Sequence, residues 1–94
     1  MERLILTAQT STGTFQHLPA RTGQLFLPAG TVLPPTSHPQ DEISFILSGS
    51  LRAVSGDQDY LLRGGDVTLI PAGEVHSGEV LEDLTLCYVL LERP

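Results

Sequence analysis

Apolar residues in this chain come in short runs, and each run is closed by proline, glycine or a carboxylate. "QLFL" (24–27) stops at "PAG" (28–30), "DYLL" (59–62) at "RGGD" (63–66), and "VTLI" (67–70) at "PAGE" (71–74). Short β-prone runs between such residues read as strands, because Pro presets φ and Gly reaches turn dihedrals closed to other residues. "TVLPPTSH" (31–38) holds Pro34 and Pro35, which forbids a helix and leaves extended or edge-strand geometry. "PQD" (39–41) is a tight turn into the longest strand, "EISFILSGSLRAV" (42–54), where Gly49 marks a plausible bulge. "SGDQ" (55–58) is a hairpin turn, "VHSGEV" (75–80) a further strand, and "LTLCYVLL" (84–91) the last. "TFQHL" (14–18) reads as a short strand ahead of Pro19.

Seven or eight strands with turn chemistry at each break predict an all-β, antiparallel fold with little or no helix. No amphipathic helix is present to build a βαβ unit. The pattern leaves an immunoglobulin-like sandwich, an up-and-down barrel and a jelly roll open. Ninety-four residues suffice for one small domain, so residues 1–94 are read as one unit. A domain this small buries little core and leaves edge strands. Apolar residues also alternate on both faces of 43–47 and 84–91, one face for the core and one for a partner. A homodimer is therefore expected.

Charge narrows the partners. Eleven carboxylates against five basic residues, all of them arginine, give a net charge of −6. Such a chain repels phosphate backbones and anionic lipid, which argues against nucleic acid and membrane and leaves a small molecule or another protein. The absence of lysine excludes Schiff-base chemistry. A single cysteine, Cys87, excludes an intrachain disulfide, and neither a signal-length apolar segment nor an 18-residue apolar span appears. The expected location is cytoplasmic.

The candidate chemistry lies around "TSHPQDE" (36–42). Along a flat strand His38 and Glu42 would be about 13 Å apart, too far to share a metal. A turn at 39–41 brings imidazole and carboxylate together, with Glu42 on the face of Ser44, Ile46 and Ser48. His76, just beyond the second "PAG" turn, completes a two-histidine, one-carboxylate set if its strand folds against that hairpin. Such a set suits iron and accepts manganese, nickel, cobalt or zinc, with positions open to substrate or water. Spacing alone makes this a weak signal, since surface or satisfied histidines are commoner.

These residues resemble the cupin superfamily, whose motifs run G(x)5HxH(x)3-4E(x)6G and G(x)5PxG(x)2H(x)3N. The first occupies residues 30–49: Gly30, then Thr36 in the slot of the first histidine, His38, Glu42 and Gly49. The second occupies 65–80: Gly65, Pro71, Gly73 and His76, with Val80 in place of the asparagine. The resemblance implies a small jelly-roll β-barrel of the RmlC-like kind. By position it makes His38, Glu42 and His76 the metal ligands, one fewer than the usual three histidines and a glutamate. It further implies a divalent-metal enzyme acting on a small carbonyl or carboxylate substrate as an isomerase, lyase or dioxygenase. The alternative is a non-catalytic module that has lost full coordination.

Other side chains carry two readings each. Thr36, Ser44 and Tyr60 are candidate pocket residues. Arg52 joins them if register runs straight through Gly49, where it would hold a substrate carboxylate; a bulge there turns it to solvent, the commoner place for arginine. Cys87 reads as a small hydrophobe, and Tyr88 as a packing residue or an acid. Glu74 and Glu79 flank His76 and could orient it. His17 is the one spare imidazole. Ser48, Ser50 and Ser77 lack a nucleophile elbow, which disfavours serine hydrolysis.

Overall fold

In the computed structural model the described residues are 1–4 and 20–92; the strand expected at 14–18, with His17, lies outside them. The elements are β1 (Glu2–Leu4), β2 (Ala20–Leu27), β3 (Val32–Thr36), β4 (Asp41–Ser55), β5 (Gln58–Arg63), β6 (Val67–Ile70) and β7 (His76–Leu91). All pairings among the described residues are antiparallel, as the alternation and turn chemistry predict. No described segment is helical, and none is a helix long and apolar enough to cross a membrane.

β4 and β7 are long enough to serve two layers. The first half of β4 and the second half of β7 build one layer in the order β1-β6-β4-β7-β2. The second half of β4 and the first half of β7 build the other, flanked by β5 and β3. Hydrogen bonding runs through both halves, so the described residues form one seven-stranded sheet folded over on itself in a jelly roll, not closed into a full barrel. The segments expected as separate strands at 75–80 and 84–91 are the single β7. No glycine or proline stands between them, so the ladder has no reason to end there.

The fold-over is made at Gly49. Its φ is +86°, and an added Cβ would overlap the carbonyl oxygen of Asp83 on β7. Only glycine lets the strands cross this closely. Around it the β4–β7 register shifts repeatedly between Ile46 and Leu51. The shift reverses the alternation, so that Ile46 and Leu51, five residues apart, both point inward. One sequence expectation is thereby corrected: Ser48 does not share the face of Glu42 but is exposed. For Arg52 the bulge reading holds, and it is solvent-exposed and outside the pocket.

The core lies between the layers: Ile46, Leu51, Ala53 and Leu62 from β4 and β5 meet Val80, Leu84 and Leu86 from β7. Fully burying a leucine or valine contributes roughly 1.5–3 kcal/mol. Loops at one end are tied to β7, since Gly30 N–H donates to the Val80 carbonyl at 2.8 Å and Ala29 N–H to Asp83 Oδ1 at 2.9 Å. β1, which the sequence did not announce, pairs with β6.

Candidate metal centre

His38 follows β3, Glu42 lies at the start of β4, and His76 opens β7. Local chemistry joins these three points. Pro39 and Gln40 turn the chain so that His38 Nδ1 lies 2.9 Å from the Gln40 carbonyl oxygen. The second "PAG" turn is tied to the first loop by Gly73 N–H to the His38 carbonyl (2.8 Å) and by Ala72 N–H to Asp41 Oδ1 (2.8 Å). Thr36 is the ladder partner of His76, which brings β3 alongside.

One ligand atom each from His38, Glu42 and His76 lie within 4.8 Å of one another. The imidazole rings meet edge-on with centroids 5.1 Å apart. His76 Nδ1 lies 3.0 Å from the Glu74 carbonyl oxygen, so both imidazoles face a backbone carbonyl at Nδ1. A carbonyl can only accept, so each Nδ1 carries a hydrogen, and in the neutral ring Nε2 is the nitrogen that offers a lone pair. That is the arrangement in which backbone carbonyls orient metal-ligating histidines. Glu42 is likewise fixed, its Oε2 accepting from Ser44 Oγ at 3.0 Å.

The remaining Glu42 oxygen, Oε1, faces His38 Nε2 at 3.3 Å. His38 Nε2 is buried and has no hydrogen-bond partner. With His38 neutral, two acceptors face each other there, and they repel unless a proton or a metal cation lies between them. A first-row divalent ion would meet this need, because it accepts imidazole nitrogen and carboxylate oxygen together and His76 is within reach of the same point. The donor set therefore suits such an ion.

The neighbouring carboxylate, Glu74, is held below its ordinary carboxylate range, chiefly by the hydrogen bond from the Met1 ammonium, which outweighs its partial burial. That ammonium also reaches Ser55 Oγ at 3.2 Å.

A cavity of about 420 Å³ opens between the two layers, with Glu42, His76 and Thr36 in its wall. Of the four pocket residues expected from the sequence, Thr36 is in the wall and exposed, and Ser44 is in the wall and buried. Arg52 is outside. Tyr60 is not in the wall; its hydroxyl donates to the Met1 carbonyl at 2.7 Å and so holds a residue that is. Glu79 is exposed, and Cys87 is half-buried opposite Gln24 and Phe45. Tyr88 lines the cavity. Thr68, buried beside Ser44 in the β4–β6 ladder, was not anticipated; the alternation of "VTLI" carried the signal, since it sets Thr68 and Ile70 on one face.

Residues 23–91 match the cupin domain family. The chain belongs to the cupins. A predicted oxalate decarboxylase from Thermotoga maritima has a similar structure, with 29% identity and a TM-score of 0.72 over 79% of this chain and 68% of that one. An RmlC-like cupin from Shewanella frigidimarina is similar at 15% identity and a TM-score of 0.74, covering 84% of this chain and 70% of that one. Salicylate 1,2-dioxygenase from Pseudoaminobacter salicylatoxidans, in a G106A mutant complexed with gentisate, is similar at 18% identity and a TM-score of 0.72, over 76% of this chain and 20% of that one. No curated protein matches the chain.

Proposed function

We propose that this cupin is a single-domain, divalent-metal enzyme whose ion is held by His38, Glu42 and His76. The observation that carries the proposal is the pair of imidazoles with Nδ1 tied to backbone carbonyls and Nε2 turned toward Glu42 and each other's ring, the His38 Nε2 being buried without a hydrogen-bond partner. When bound, the ion would supply Lewis acidity toward a carbonyl or carboxylate oxygen or, as iron, access to oxygen chemistry. Isomerisation, elimination and dioxygenation all draw on that chemistry.

The chain's own residues set the conditions for it. Gln40 and Glu74 hold the imidazoles in the ligating tautomer, and Ser44 aims Glu42. Thr36, beside His76, offers no imidazole and so leaves that side of the centre to substrate or water. The apolar cavity wall keeps bulk water from the substrate-facing side.

The second reading, a ligand-binding module without catalysis, draws on the small supply of polar groups in the wall: among the described residues, three hydroxyl side chains of serine or threonine besides Thr36, together with Tyr88, and no arginine. A homodimer packed through the outer face of β2, β4 and β7, where Phe26 is 72% and Leu47 53% exposed, and a cytoplasmic location belong to the same proposal. Titration of metal-free protein with Co(II), followed by visible absorption, tests the site. Saturation at one equivalent, lost in His76→Ala, supports it; an unchanged spectrum in that variant contradicts it.

A further inference from the structure

The cavity's chemistry narrows what this centre serves. Its wall is built from leucines and isoleucines of both layers, with Leu51, Leu62 and Leu86 buried in its depth and Leu25, Pro34 and Thr36 exposed at its rim. Among the described residues no arginine lies in it; Arg3, Arg21, Arg52 and Arg63 are all exposed on the outside, and the chain has no lysine. Met1 is in the wall, but its ammonium is engaged by Glu74 and Ser55. The wall's own charge is the Glu42 carboxylate, which the proposed ion would offset. A second carboxylate or a phosphate on a ligand would thus be buried against leucine with no cation among the described residues to meet it, a cost of several kcal/mol.

Resting on the metal reading above, we infer that the cavity takes a ligand with one oxygen-donor head, placed at the His38–Glu42–His76 centre, and an uncharged apolar body lying between the sheets. Dicarboxylates, sugar acids and phosphorylated metabolites are excluded by the same wall. The volume of about 420 Å³ lies in the range of small-molecule sites. Affinity should come from the body, at about fourfold per buried methylene. The head supplies orientation toward the centre.

The test is calorimetric titration of zinc-loaded protein with n-alkyl hydroxamates from acetohydroxamate to octanohydroxamate, beside suberic acid monohydroxamate, which has the same length and ends in a carboxylate. The inference requires affinity to rise by about fourfold per methylene over several members and the terminal carboxylate to abolish that gain. Affinity that stays flat with chain length, or equal binding of the suberate compound, overturns it. A parallel arm uses metal-free protein and 1-octanol, read by methyl NMR. Shifts at Leu51 and Leu62 with none at exposed Leu81 support the cavity assignment; no selective shift overturns it. If zinc does not bind, the metal reading fails while the octanol arm still decides the nature of the cavity. Ala53→Val, which adds bulk to the wall, should shorten the chain length at which the gain stops, with zinc binding unchanged.

Discussion

Replacing Gly49 by alanine tests the device that folds one sheet into two layers and closes the cavity. Two costs add. At φ +86° a residue with a Cβ occupies left-handed backbone space, at about 1–2 kcal/mol. The new methyl also overlaps the Asp83 carbonyl oxygen and comes within 2.9 Å of the Glu82 carbonyl oxygen. These are backbone atoms in a ladder, so relief requires moving β4 and β7 apart, typically another 1–3 kcal/mol. Gly30→Ala is the internal control: its φ is +89°, yet nothing lies within 4 Å of an added Cβ, so only the first cost applies. Urea unfolding followed by far-ultraviolet circular dichroism should give equal m-values for both variants. Gly49→Ala should be destabilised by roughly 2–5 kcal/mol, and by at least about 1 kcal/mol more than Gly30→Ala. On a domain of this size that lowers Tm by roughly 10 °C or more. A Gly49→Ala protein no less stable than Gly30→Ala would refute the reasoning.

Thr36→His should tighten divalent-metal binding by roughly tenfold or more, since position 36 is the ladder partner of His76; chelator competition reads it, and unchanged affinity would show that residue 36 does not face the centre. Ser44→Ala should weaken metal binding about 10–100-fold by freeing Glu42 Oε2, with the fold intact; equal affinity in the same competition assay would contradict this. Glu74 has a folded-state pKa below its ordinary value, so its stabilising contribution is present above the ordinary carboxylate range and is lost as pH falls through the lowered value. Glu74→Gln should therefore be less stable than the parent in neutral buffer, with the gap closing in acid. A gap that widens on acidification in urea unfolding would reverse the sign.

How much of this was readable beforehand differs from element to element. The runs closed by Pro and Gly marked β2, β5 and β6 because turn dihedrals are local properties of those residues. The convergence of His38, Glu42 and His76 was legible through motif spacing, since two short loops fix where each imidazole emerges. Arg52 was ambiguous for a physical reason: one bulge residue reverses the face of everything beyond it, and only the crossing of β4 over Asp83 reveals that Gly49 supplies it. The Met1 contacts and β1 pair residues distant along the chain, from Met1 to Tyr60 and Glu74, and no local pattern announces them. The continuity of β7 was missed because the carboxylates Glu82 and Asp83 interrupt its apolar pattern, although the strand runs through them.

The central claim is that His38, Glu42 and His76 hold a divalent ion. Elemental analysis of tag-free protein purified without added metal, beside His38→Ala and His76→Ala, tests it most directly. Near-stoichiometric transition metal in the parent and little in either variant is the predicted result. Metal retained in both variants, or none in the parent even after reconstitution, would contradict the account.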